Sequence, residues 1–449
     1  MKKCIISCGR MNKTKKTTFL ILSAIIVFFL LNDSIFGFNY SNIFSQINMC
    51  DSFINDNSKR HKLIEASFNY LGICLFGAIL YLLQKFVIRN KTKKNQQYNL
   101  RRVLIYYNSK SLSKKNKIYL LILIIIWVVG ENLIIFFGEL FKDLDFWFLE
   151  LIFLSVMLNF FFGVPIYKHH WFSIILNISL CSILKITNIV LSFTNHDTSE
   201  LYVQFPYFTA IGIIIDIIII GIRSLYITGI KWFIDLKFIS HTLLLIIYGA
   251  VGAFLSIIGC VIATYLECNK LYNDNIVGNI CFIQSQENSQ IYYFDNYKIY
   301  FNKVVGTNYL KTILIIVGVI TYFGYKYFYV LMIKKYNPVF VLFCNPIIFF
   351  LEKIILMINT LIKNHSLFIE PNNKTDTNIS SHKINFWIDI SNDIIVVIGL
   401  LIYLEVIIIN CYGLNHNVKI NIEDRGIDNY RNIEFVDETG EFSLIVDDE

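Results

Sequence analysis

Among the ionisable side chains that fall inside long apolar runs are Glu131, Lys185, Asp216, Glu352 and Asp393. A charge near the bilayer centre costs about 2.5–3.5 kcal/mol on insertion scales unless it meets a partner or water. Counting about 1.5 Å per residue from the outer end of each run puts all five at similar depth. Gathered around one cavity, they could pair and bind a polar solute. Asp216 lies in FTAIGIIIDIIIIGIRSLYIT (Phe208 to Thr228), and Arg223 follows seven positions later on a similar helix face. Lys185 and Asp216 occupy consecutive runs, so a salt bridge between them is the most economical expectation. The alternative is a set of polar pins that hold helices together without a ligand.

A second group surrounds the stretch NPVFVLFCNPIIFFLEKII, Asn337 to Ile355. Pro338 suits a helix start, whereas Pro346 removes a backbone hydrogen bond and predicts a kink. Freed backbone groups at such a break can face a cavity. Asn345, Glu352 and Asn359 recur every seven positions and share a stripe. Asp389, Asn392 and Asp393 share a face by their spacing of three and four. Lys326 and Lys353 have stems long enough to snorkel. His169 and His170 are adjacent, so a helix would point them apart, and no third ligand is near in sequence. They read as part of a basic turn, and no metal or cofactor is expected. No CxxC, HExxH, GxSxG or P-loop occurs at a usable position, which argues against common hydrolase and nucleotide-hydrolysing chemistry. The expectation is a non-enzyme.

The elements that would position these groups follow from composition. The chain has 449 residues, 55% hydrophobic and only 16% charged. Its mean hydropathy is +0.55. A soluble protein carries about 25% charged residues, so the class is an all-α, multi-pass membrane protein. The net charge of +7 is not a nucleic-acid signature, because the basic residues cluster between apolar runs. The expected spans are 17–38, 65–88, 118–138, 146–167, 171–193, 208–228, 241–266, 309–333, 338–362 and 386–410. The first run follows a basic start, as in a signal peptide. It is long for one and lacks a small-x-small cleavage site, so a retained helix is expected.

Ten spans divide the chain into a basic N-terminus (1–16), a helical domain (17–410, halves 17–200 and 201–410) and an acidic tail (411–449). The positive-inside rule puts both ends, the 89–117 cluster and Lys168-His169-His170 in the cytosol. The same count puts the 267–308 loop outside, with Cys268 and Cys281 as a candidate disulfide. Cys50 lies outside too and competes as a partner. Sequons at Asn364, Asn373 and Asn378 also fall outside, as glycosylation requires. An endomembrane or plasma-membrane location is expected, with the lipid bilayer and a small polar solute as partners.

This layout resembles the drug/metabolite transporter superfamily, including EamA-like and nucleotide-sugar carriers. The likeness rests on ten spans with cytosolic ends, a short basic hairpin between the fourth and fifth, and the Pro-to-Glu pattern of Asn337 to Ile355. It implies two inverted five-helix halves, a central substrate cavity and alternating access. Its helices are usually richer in Gly and Ala than these. A membrane receptor or scaffold acting through the outer loop and acidic tail is the alternative, and a membrane-embedded transferase a further one.

Overall fold

Runs of Ile, Leu and Phe longer than about 20 residues satisfy every backbone group internally only as helices. The computed structural model describes residues 5–8, 23–28, 62–94, 113–137, 146–194, 206–237, 239–266, 283–284, 292–301, 309–336, 338–343, 346–348, 350–351, 354, 358, 376–410 and 414. The main elements are β1 (Ile5–Cys8), α1 (Lys62–Lys94), α2 (Lys114–Phe137), α3 (Glu150–Phe162), α4 (Lys168–Thr194), α5 (Pro206–Lys237) and α6 (His241–Tyr265). They are followed by β2 (Ile283–Gln284), β3 (Tyr292–Tyr293), α7 (Tyr297–Tyr300), α8 (Tyr309–Lys335), α9 (Asp376–Tyr403) and β4 (Ile407–Asn410). Among the described residues, six helices are long and apolar enough to cross a bilayer: α1, α2, α4, α5, α6 and α8. Their outward faces are greasy. Leu75, Leu82 and Phe86 on α1, and Ile175, Ile183 and Ile186 on α4, are all more than half exposed. Contiguous apolar surface of this extent fits lipid rather than water.

Three expected spans differ from the observed elements. The fourth, 146–167, is a 3-10 turn at Trp147–Leu149 and then only the 13 residues of α3. Gly163 caps α3 in the left-handed region at φ 67°, and its N–H donates to Asn159 O. Pro165 then keeps Val164 out of helical conformation, so the chain stays apolar while the helix stops. The tenth, 386–410, ends as helix at Tyr403 and becomes strand β4. The β-branched run Val406 to Ile409 favours that change. The sixth runs nine residues past its expected end, to Lys237. Of the first span only 23–28 are described, and of the ninth only about half. Pro338–Phe343 is a 3-10 segment, and residues 346–348 are helical.

The chain forms two compact units, each drawing on both sequence halves. One comprises 24–145 and 229–331. Its centre is the packing of α1 against α6, which is close because α6 carries YGAVGAF. A Cβ on Gly249 would stand 2.5 Å from Cys74 N and 2.8 Å from Tyr70 O. Small residues let membrane helices approach in this way. At one end of this unit, Leu63, Ile64, Cys260, Ala263, Phe294 and Tyr300 form a buried cluster. There Asp295 accepts from Leu63 N (2.8 Å) and Ile64 N (3.1 Å), so the connection between α6 and α8 caps the start of α1.

The other unit comprises 1–23, 146–228 and 332–449. Its main contact is α4 against α9. Ser173 Oγ donates to Gly399 O at 2.6 Å, and Ser155 Oγ hydrogen bonds to Tyr403 Oη at 3.0 Å. Strands β1 and β4 pair antiparallel, Ile5 opposite Asn410 and Cys8 opposite Ile407. The start of the chain therefore lies beside the segment that follows its last described helix.

Candidate functional site

In the first unit the polar centre is Glu131 on α2. Its carboxylate meets the Lys326 ammonium of α8 at 2.6 Å, and both side chains are nearly buried. Tyr70 Oη on α1 donates to Glu131 Oε2 at 2.8 Å, and Tyr248 Oη on α6 donates to the same oxygen. Four elements thus converge on one carboxylate. The rings of Tyr248, Tyr322 and Tyr325 lie 5.4–5.6 Å from Lys326 Nζ, within cation–π range. Tyr70 and Tyr248 meet edge to face at 5.4 Å between centroids. Near Glu131, Ser256 Oγ donates to Asn132 Oδ1 at 3.3 Å. The arrangement holds an anion and a cation in apolar surroundings, with tyrosine hydroxyls completing the carboxylate's shell.

In the second unit Asp216 accepts from Phe146 N at 2.6 Å, just ahead of the turn that opens α3. Lys185 is half-buried on α4, and no described ion pair joins it to Asp216. The partner of Arg223 is Glu150, at 3.0 Å. Asp393 is buried on α9, 3% exposed. Asn345, Glu352, Cys268, Cys281, Asn364 and Asn373 lie outside the described residues. Asn378 lies in the first turn of α9. The free cysteines among the described residues are Cys74, Cys181 and Cys260.

Lys326 was expected to snorkel and instead holds Glu131. The aromatic run YFGYKYFY around it was the available signal, because Tyr322 and Tyr329 share a helix face with it and Tyr325 is its neighbour. His169 and His170, expected to point apart, meet edge to face with ring centroids 4.0 Å apart in the first turn of α4. Glu405, from the turn after α9, reaches His169 Nε2 at 3.3 Å. No spacing rule links residues that far apart in sequence.

Long apolar helices, greasy outward faces and charges held inside them define a multi-pass membrane protein. No protein-family model, curated protein or solved structure matches the chain.

Proposed function

We propose that the protein is a secondary carrier of the drug/metabolite type, built from ten spans, that moves a small polar solute and has no enzymatic step. The observation that carries this reading is the Glu131–Lys326 pair, enclosed by Tyr70, Tyr248, Tyr322 and Tyr325 among lipid-facing helices. Ionisable groups at that depth mark solute or ion pathways more often than they serve packing. A carboxylate backed by tyrosine rings suits a small organic cation, whose ammonium would replace that of Lys326. Lys185, Asp216 and Asp393, with Asn345 and Glu352, are the further candidates for the pathway.

The packing supports two inverted halves. The second expected span packs on the seventh (α1 on α6), and the fifth on the tenth (α4 on α9). The third meets the eighth through Glu131–Lys326, and the fourth touches Pro338–Phe343 of the ninth. Every pair is five spans apart. In halves with an odd number of spans such mates run antiparallel, which is the arrangement of inverted repeats. Both ends in the cytosol gain support from the β1–β4 ladder and from the His169–Glu405 contact. These join the basic N-terminus and the 168–170 turn, both expected on that side, to the cytosolic end of the tenth expected span.

A scaffold or receptor has its own observation: the charges Glu131 and Lys326, and Glu150 and Arg223, within the expected spans already hold one another as pairs. Proteoliposome uptake separates the readings. The panel is choline, a zwitterionic amino acid and a nucleotide sugar, with wild type, Glu131→Gln, Lys185→Ala and Asp216→Asn. Saturable uptake of a panel member that falls at least about tenfold in Glu131→Gln is the expected result. Folded protein that moves nothing in the panel, or flux indifferent to Glu131→Gln, removes the carrier reading of this site.

A further inference from the structure

We infer that His169, His170 and Glu405 form a binding site for a divalent transition metal of the zinc class. One donor atom from each residue lies within 4.8 Å of the other two, close enough for a single ion at ordinary ligand distances after small side-chain rotations. His169 is almost fully buried, and neither of its ring nitrogens has a hydrogen-bond partner. Burying an imidazole in that condition is unfavourable unless something else completes it. Glu405 Oε1 stands 3.3 Å from His169 Nε2 but does not complete a hydrogen bond there. His170 Nδ1 accepts only a long bond from Tyr167 N, at 3.2 Å, and its ring stacks on Tyr403 at 4.3 Å. A small cavity lined by His169, Phe172, Glu405 and Ile407 adjoins the donors, with room for one water-sized species. Two imidazoles and a carboxylate with space for water are a recurrent zinc donor set.

The backbone adds an independent reason. Val406 N donates to Leu401 O at 2.9 Å, and Glu405 N to Ile402 O at 3.1 Å. That is the paired pattern of a Schellman turn, with Glu405 at its left-handed position, φ 59°. Glycine is the residue this position favours. A glutamate there carries a conformational penalty that its side chain must justify, and the neighbouring pair of histidines supplies the reason. The bound ion would tie the start of α4 to the turn that leads into β4.

The test uses the full chain, without a histidine tag, purified in detergent, stripped with chelator and dialysed against Zn²⁺. Bound metal is measured by atomic emission and stability by thermal unfolding. Wild type should retain a single zinc per chain and melt at a higher temperature with zinc than without. Glu405→Gly suits the left-handed turn, so it should fold at least as stably without metal, yet bind zinc at least about tenfold more weakly. His169→Ala should lose the zinc-dependent stabilisation as well. As a readout on wild type alone, Co²⁺ should give the absorption bands of a tetrahedral site. Wild type without zinc above background, or Glu405→Gly binding as tightly as wild type, overturns the inference.

Discussion

Replacing Lys326 by Met tests whether the Glu131 centre is one interaction unit. The Glu131 carboxylate has three donors: Lys326 Nζ at 2.6 Å, Tyr70 Oη at 2.8 Å and Tyr248 Oη. Orphaning a buried charge completely costs about 3–5 kcal/mol. Lys326→Met leaves two hydroxyl donors in place, so its cost should be nearer that of one charged hydrogen bond, about 2–3 kcal/mol. Glu131→Gln leaves the ammonium among three tyrosine rings and should cost about 2 kcal/mol on the same scale. Removing both charges eliminates the stranded partner. The double variant should therefore be no worse than the poorer single one, a coupling of about 2 kcal/mol. Equilibrium unfolding in mixed micelles, read on all four proteins at pH 7, gives the cycle. Single-variant losses that add to within about 0.5 kcal/mol would mean the two groups do not interact, and would refute the description of this centre.

Three further outcomes follow from particular contacts. Gly249→Ala drives a methyl into the backbone of α1 at Cys74 and Tyr70, so it should lower the unfolding temperature in detergent and cost more than about 2 kcal/mol. Asp295→Ala leaves the N–H groups of Leu63 and Ile64 without their acceptor, a loss of about 0.5–2 kcal/mol, seen as faster amide exchange at the start of α1. Asp216→Asn keeps a carbonyl oxygen for Phe146 N, whereas Asp216→Leu does not. If capping is the role of this acid, only the leucine variant should melt early.

Helices were legible where apolarity and backbone preference agree. The expected 118–138, 171–193, 241–266 and 309–333 lie within a few residues of α2, α4, α6 and α8. Apolarity alone misled where local chemistry opposed it. Gly163 and Pro165 end α3 inside an apolar run, and Val406 to Ile409 turn extended within another. Glu131 stood out as an acid in a greasy segment, but its partner did not, because pairing across α2 and α8 is a tertiary choice that periodicity within one helix does not encode. The same holds for His169 and Glu405, which meet only once α4 and α9 have packed.

Strand β1 leaves the ribosome about 400 residues ahead of its mate β4. At ordinary synthesis rates that is a delay of roughly 20–80 s. Over that interval the backbone of Ile5–Cys8 offers an open edge to any other strand, a recognised route to mispairing. The positive charges that surround it, Lys2, Lys3, Arg10 and Lys13, would discourage such encounters between nascent chains.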